Sequence, residues 1–309
     1  MTRPRIILDC DPGHDDAVAL LVAAAHTDLV GITTVAGNAP LSKTTRNAII
    51  IRDLLGSDAP VHSGAERPLV AEAHHAPDVH GQSGMDGADL PEPSGPPTST
   101  DAIGYIIETC RANEGLWLVP TGPLTNIALA LRAAPDLARR IAGISLMGGG
   151  SFGNRSAVAE FNIWGDPEAA AIVFRYGGPL VMAGLDVTHQ LQATPERITA
   201  VRAVGTPLAT ILADLFQFFS GTYVSRHIHM RGAAVHDPCA VLALTHPDLF
   251  TIQRFHVDVE TSGELTRGMT VIDRRDLREV PAANCDVLTS VDADGAFGVI
   301  IDSLRRVQR

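Results

Sequence analysis

Apolar and polar positions follow two rhythms along the chain. Residues 5–8 form a short β-branched apolar run that stops at Asp9-Cys10-Asp11-Pro12-Gly13, the pattern of a buried strand entering a loop. From Asp15 the chain turns to small helix formers and keeps them as far as His26. The exchange repeats, predicting strands over 29–35, 116–119, 144–147 and 180–183 and helices over 41–55, 100–113, 124–134 and 166–175, with Ser42 as the cap of the second helix. Further on, 206–220 and 237–245 read as helices, 250–259, 269–273 and 284–290 as strands, and 294–306 as a closing helix. Strands alternating with helices imply right-handed crossovers, and so an α/β fold whose mainly parallel, Rossmann-like open sheet carries helices on both faces. Ligands bind such sheets at the carboxyl ends of the strands. Polar or Gly-rich strings begin at Asp9, Thr34, Pro120, Gly148 and Gly184, so these loops should meet at one mouth.

Residues 63–99 break the rhythm. They are rich in proline, glycine and histidine with no core-facing period, which predicts a mobile active-site loop. No repeat, low-complexity tract or linker interrupts the rest, and 309 residues at 45% apolar and 19% charged predict one globular domain over 1–309. Thirty-five acidic against 24 basic side chains, with Lys43 the only lysine, leave no electrostatic footprint for nucleic acid or an anionic membrane. The longest apolar run, 17–25, falls short of the roughly 18 residues a bilayer span needs. The N-terminus lacks the apolar stretch of a signal peptide, so the expectation is a cytoplasmic protein. Cys10, Cys110, Cys239 and Cys285 are scattered without metal spacing and read as free, buried or partly buried thiols.

Chemistry concentrates in Asp9-Cys10-Asp11-Pro12-Gly13-His14-Asp15-Asp16, four carboxylates between a strand end and a helix start. One or two acids suit a helix N-terminus. Four exceed that need, and like charges this close raise one another's pKa unless a cation neutralises them. Oxygen-only donors suit a hard ion such as Ca²⁺ or Mg²⁺; a purely structural acid cluster is the alternative. Residues 120–126 can aim a carbonyl at a cation or simply turn tightly with Thr125 near a helix cap. Gly148-Gly149-Gly150, Asn154 and Glu160-Phe161-Asn162 supply permissive backbone and amides suited to sugar hydroxyls. His236-Asp237-Pro238 sets an acid and a titratable imidazole before a helix, where Asp237 can also serve as a plain N-cap.

Taken together, these segments resemble the nucleoside hydrolases, the inosine-uridine preferring N-ribohydrolases. The likeness runs through the signature at 9–17, Val35-Ala36-Gly37-Asn38, His80-Gly81, 120–126, 147–150, 159–162 with 166–170, and 235–238, in the family's order over about residues 4–306. It implies calcium-dependent hydrolysis of the N-glycosidic bond of ribonucleosides, releasing base and ribose for salvage, in a homodimer or homotetramer. It implies Ca²⁺ held by Asp11, Asp16, Asp237 and the Thr121 carbonyl, with a water and two ribose hydroxyls completing the shell and Asp11 as the base that deprotonates that water. Asp15, Asn38, Asn154, Glu160 and Asn162 match positions that hold the ribose, with the Met147 backbone beside them. His236, suited by its pKa to protonate the leaving base, and His80 match residues near that base. Phe161 is expected to pack against the nucleoside and Tyr223 to join the base pocket.

Departures from the family concern the base. Its members differ most in the loop carrying His80 and in the stretch before the His-Asp-Pro turn, here 63–99 and 219–232. Tyr223, Arg226, His227 and Arg231 are available there, whereas no tryptophan is, which weakens a purine site built on indole stacking and leaves purine against pyrimidine open. Trp117 and Trp164 read as core and supporting residues. A haloacid-dehalogenase-type phosphatase would also end its first strand in Asp-x-Asp, but Gly13 stands where Thr or Val is required and Lys43 is the only lysine. A non-catalytic calcium-dependent nucleoside or ribose binder would share the ligands, yet it has no use for Asp11 as a base.

Overall fold

The protein is seen here in a computed structural model that describes residues 3–226 and 228–307; His227 lies outside them. Its strands are β1 (Arg5–Cys10), β2 (Asp28–Thr34), β3 (Val61–Ser63), β4 (Trp117–Pro120), β5 (Gly143–Met147), β6 (Leu180–Ala183), β7 (Gln192–Ala193), β8 (Ala233–Ala234), β9 (Phe250–Val259), β10 (Thr270–Asp273) and β11 (Cys285–Val291). Its α-helices are α1 (Asp16–His26), α2 (Leu41–Leu54), α3 (Pro77–His80), α4 (Ala102–Ala112), α5 (Thr125–Ala133), α6 (Phe161–Gly165), α7 (Pro167–Phe174), α8 (Leu185–Thr188), α9 (Pro195–Arg202), α10 (Pro207–Val224), α11 (Pro238–Thr245) and α12 (Ala293–Arg306).

One sheet takes nine strands in the order β10-β9-β11-β6-β5-β4-β1-β2-β3, and β7 and β8 form a separate ribbon. In this sheet the neighbours from β3 through β11 pair in parallel and β9 pairs antiparallel with β11 and β10, while the β7–β8 ribbon is antiparallel. The central strands β1, β4, β5 and β6 are buried on both faces, as their unbroken apolar runs require, while β9 and β10 at the edge are more open to solvent. In β1, Ile6, Leu8 and Cys10 enter one core with α1, α11 and α12, while Ile7 enters the other with α4, α5 and α7. Strand order reverses between β1 and β4, which opens a crevice at their carboxyl ends. Asp11 and Thr121, the residues that follow these two strands, stand at that crevice.

The α/β, mainly parallel reading therefore holds, with boundaries shifted by a residue or two. Ser42 is not a cap: α2 starts at Leu41, and the Pro40 carbonyl before it accepts from Lys43 N at 2.8 Å and Thr44 N at 3.1 Å. Thr125 is the first residue of α5, and its hydroxyl donates to Asp166 Oδ2 at 2.7 Å instead of capping. Asp237 precedes α11, but its carboxylate makes no capping bond. The helix expected over 206–220 runs on to Val224 and so carries Tyr223. Segment 63–99 contains the end of β3 and the single turn of α3, and it is tied down by Ala65 N donating to Asn126 Oδ1 at 2.8 Å and Leu69 N donating to Asp166 Oδ2 at 2.9 Å. All four cysteines are free and buried, and among the described residues no helix is long and apolar enough to cross a membrane.

Asp166 knots three segments together. Its carboxylate caps α7 through Ala169 N at 3.0 Å while also holding Thr125 and Leu69. Burial raises its pKa against the pull of these donors. Asp166→Ala should lower unfolding free energy by about 2–3 kcal/mol, a lost cap plus buried donors left unpaired. Urea titration checks this, and a midpoint unchanged from wild type would refute the role.

Candidate active site

The crevice opens into a cavity of about 340 Å³ whose lining includes Asp15, Asn38, His80, Thr121, Met147, Asn154, Glu160, Phe161, Asn162, Tyr223, His236 and Asp237. The polar strings after β1, β2, β4 and β5 meet there, as expected. The loop after β6 reaches the site through Thr188 of α8. Asp11 and Asp16 are fully buried beside the cavity.

Four carboxylates converge below it. Asp15, Asp16 and Asp237 bring one oxygen each to within 4.8 Å of one another. Asp16 Oδ1 accepts from the Thr121 hydroxyl at 2.8 Å, and Oδ2 accepts from Gly13 N at 2.9 Å and Asn38 Nδ2 at 3.3 Å. Asp11 Oδ2 accepts from Asn38 N at 2.7 Å, whereas Oδ1 is buried with no partner among the described residues. Asp11 fits because its neighbours lack side chains: a Cβ on Gly37 or Gly122 would overlap its carboxylate. The tightest oxygen trio thus contains Asp15, which the family likeness assigned to ribose, because the Asp15 carboxylate turns to accept from His236 N at 3.2 Å and lies against Asp237.

Electrostatics follow from this crowding. Burial first, and neighbouring carboxylates second, push Asp11 and Asp237 well above the ordinary range. Asp15 is raised to about 7 by the same two causes, and Asp16 is raised by burial. A cation among them would restore ordinary ionisation and give Asp11 Oδ1 a partner. The donors are all oxygens, and the Thr121 carbonyl already meets Asn162 Nδ2 at 2.8 Å. Chemically and spatially the set fits a hard divalent ion.

The wall expected to meet ribose is built on α6. Glu160 precedes the helix, and its carboxylate accepts from Asn162 N at 2.8 Å, Ile163 N at 3.1 Å and Gly149 N at 3.0 Å. Burial raises its pKa while these amides oppose the rise. Asn162 Nδ2 also contacts the Met147 carbonyl at 3.2 Å, and Asn154 Oδ1 accepts from Phe161 N at 2.9 Å. This wall of amides and one carboxylate is prearranged for hydroxyls.

The opposite wall carries imidazoles and aromatic rings. His236 Nε2 lies 2.6 Å from the Tyr223 hydroxyl and Nδ1 lies 2.7 Å from Thr188 Oγ1. His80 is buried against Phe219 and His14, with ring centroids 5.2 Å from each. Arg226 lines the cavity, but Arg231 does not: it pairs with Glu196 at 2.9 Å, since the β7–β8 ribbon carries it away. Trp117 is half-buried over Gly143, and Trp164 supports the rim between His74 and Arg155. Thr188, His14 and Phe219 were not anticipated. His14 stands inside the acidic motif, but nothing local shows what its ring meets.

A mainly parallel sheet whose switch point sets buried carboxylates under a cavity walled by amides and imidazoles has the architecture of an α/β enzyme with a site suited to a small polar ligand. Residues 6–298 match the model of the inosine-uridine preferring nucleoside hydrolases. The chain is 48% identical to the pyrimidine-specific ribonucleoside hydrolase RihA of Shewanella sp. strain ANA-3, over 98% of this chain and 96% of that protein. It is 45% identical to the protein of the same name from Escherichia coli strain SMS-3-5, over 97% and 98%. A purine-preferring ribonucleoside hydrolase from Gardnerella vaginalis superposes with a TM-score of 0.91 at 33% identity, covering 98% of both chains. The chain belongs to the inosine-uridine preferring nucleoside hydrolase family.

The crowding has a thermodynamic consequence. A divalent ion that binds the folded cluster and not the unfolded chain should stabilise chelator-stripped protein by about 2.7 kcal/mol at a hundredfold excess over its dissociation constant. Calorimetry with and without added ion should show the melting temperature rise, and Asp16→Asn should remove most of the rise. An unchanged melting temperature with every divalent ion tried would exclude the cluster as a metal centre.

Proposed function

We propose that the protein hydrolyses the N-glycosidic bond of ribonucleosides, pyrimidine ribonucleosides by preference, in a calcium-dependent reaction that releases free base and ribose for salvage. The observation that carries this reading is Asp11, a fully buried carboxylate with one oxygen fixed by Asn38 and the other without a protein partner among the described residues, beside Asp15, Asp16 and Asp237. Asp11, Asp16, Asp237 and the Thr121 carbonyl would hold the ion. Calcium, when bound, supplies fixed positive charge that polarises water and orients ribose hydroxyls, and its high coordination number admits both.

The chain's own groups do the rest. Asp11 takes the proton of the attacking water. Asp15, Asn38, Asn154, Glu160 and Asn162 hold the sugar, with the Met147 carbonyl beside it, so that C1′ faces that water. As the bond breaks, positive charge grows on the ribose and negative charge on the base. The carboxylates face the first, and the His236–Tyr223 pair holds a proton toward the second. Thr188 keeps the His236 ring in place from its far side. Phe161 and Phe219 give the base apolar surface, with His80 at its edge.

The pyrimidine preference rests on the two sequence relatives named for it and on a cavity whose described aromatic lining is Phe161, Phe219 and Tyr223 without an indole. Segment 63–99, which brings His80 to the base, acts as a closing loop in this reading. Assembly as a homodimer or homotetramer in the cytoplasm completes it. A calcium-dependent binder without turnover is the alternative, and release of free uracil from uridine separates the two.

Asp11→Asn should lower turnover of every nucleoside by about 10³-fold or more, since it removes both base and ligand charge. His236→Ala should cost about 10²–10⁴-fold on uridine and far less on p-nitrophenyl riboside, whose leaving group departs as an anion. Steady-state kinetics on both substrates check this pair. Full activity of Asp11→Asn would refute the hydrolytic mechanism, and equal losses on both substrates would move the acid away from His236. The ratio of kcat/KM for uridine to that for inosine should exceed 1; a ratio below 1 would overturn the pyrimidine preference.

A further inference from the structure

We infer that His14 is a positioning residue that fixes the tautomer of His80, so that His80 meets the base with the bare lone pair of Nε2 and accepts a hydrogen bond instead of giving one. What that acceptor selects rests on the nucleoside-hydrolase reading; the tautomer itself does not.

The argument starts from a group with fixed polarity. His14 Nε2 lies 2.8 Å from the carbonyl oxygen of Asp86, which can only accept, so this nitrogen carries a hydrogen. The His14 ring is buried and stacks on Phe218 and Phe219 at centroid distances of 5.4 and 5.0 Å with planes within 10°. No carboxylate oxygen bonds it among the described residues, and in so apolar a stack the neutral ring is favoured. Its one hydrogen is therefore spent on Asp86, and Nδ1 is an acceptor. His14 Nδ1 and His80 Nδ1 are 3.0 Å apart, so the hydrogen between them belongs to His80.

The reverse assignment uses the backbone amide of His14, which lies 3.5 Å from His80 Nδ1. With both rings neutral it would set two lone pairs against each other at 3.0 Å, or a lone pair against the Asp86 carbonyl at 2.8 Å. Two short contacts outweigh one at the limit of hydrogen bonding. The His80 ring also lies close over Gly13, where a Cβ would meet Nδ1 at 2.6 Å, so this edge faces the protein. His80 lines the cavity, and its Nε2 bonds no group among the described residues.

A bare Nε2 at the base pocket recognises an N–H. The uracil imide and the cytosine amino group both offer one; a purine offers one only at N1 or an exocyclic amine, and turned with N7 to this nitrogen it is repelled. The same polarity removes His80 as the acid for the leaving base and leaves that duty to the His236–Tyr223 pair. The preference for a base edge that presents an N–H is thus set from Asp86 through His14 to His80.

Nitrogen and carbon NMR of histidine-labelled enzyme reads the tautomer directly, with His80→Gln assigning the signals. The expected spectrum has His80 protonated at Nδ1 in the wild type and at Nε2 in His14→Phe, which keeps the stack and leaves only the backbone amide to meet Nδ1. In parallel, kcat/KM on uridine relative to p-nitrophenyl riboside should fall about tenfold in His14→Phe, the size of one hydrogen bond turned from favourable to opposed, and the fall should lie mainly in KM. His14→Asn, whose amide oxygen takes the place of Nδ1, should keep the wild-type tautomer and most of that ratio. Wild-type His80 protonated at Nε2, or at both nitrogens, would overturn the proposal, as would a tautomer unmoved by His14→Phe. Absence of turnover on any nucleoside would instead refute the hydrolase reading and leave the tautomer assignment standing.

Discussion

Burying carboxylates against one another is the constraint on which this structure turns. Asp11, Asp15, Asp16 and Asp237 lie in a region with almost no water access, where each suffers desolvation and Asp11, Asp15 and Asp237 also feel the charge of their neighbours. Nothing in folding rewards such a cluster unless something neutralises it. Much around it serves to hold it: Gly37 and Gly122 clear room for Asp11, the Gly13 amide and Thr121 hydroxyl anchor Asp16, and Asn38 reaches Asp11 and Asp16 at once. The switch point between β1 and β4 supplies the one place where two strand ends part and leave room for these groups.

Asp237 has the farthest to come. It stands 221 residues beyond Asp16 in sequence, and packing of α11 on α1 in the same apolar core brings it there. Val18, Leu21 and Val22 of α1 share that core with Val241 and Leu242 of α11. The geometry of the carboxylate cluster is thus tied to the helix pair beneath it. Ser145 of β5 adds a buried bond to the Ala240 carbonyl at 2.7 Å, which ties α11 to the sheet as well. Apolar burial in this core holds together carboxylates whose ionised forms would repel one another.

Strand and helix alternation was legible because parallel strands covered on both faces are uninterrupted apolar runs, and the long helices show a full period. The single turns α3, α6 and α8 were not, since four or five residues contain no period to detect. The acidic motif announced itself through an excess of charge over what a helix end needs, and the family likeness added the partners from distant loops. Thr188 escaped because its role exists only through a contact 48 residues away. His14 escaped although it sits in the motif, because the aromatic stack that defines it comes from α10. Arg231 was misplaced for a related reason: its distance from His236 in sequence is short, but the ribbon between them turns it outward.

The cavity keeps its polarity divided. Its floor gathers the buried carboxylates, and a mobile cationic side chain on the walls would pair with them and fill the cavity. The two arginines among the described lining residues are each restrained elsewhere: Arg226 pairs with Asp78 at 2.9 Å, and the Arg155 guanidinium lies 4.5 Å over the Trp164 ring. On the base side burial does the same work by chemistry, pushing the Tyr223 hydroxyl up, His14 down to about 4 and His80 well below its ordinary value. Neutral groups there can still present hydrogens and lone pairs in fixed directions while adding no charge to compete for the floor. The proposed sequence of cation, sugar and departing base would need that separation, and the aromatic stack around His14 is where the fold secures it.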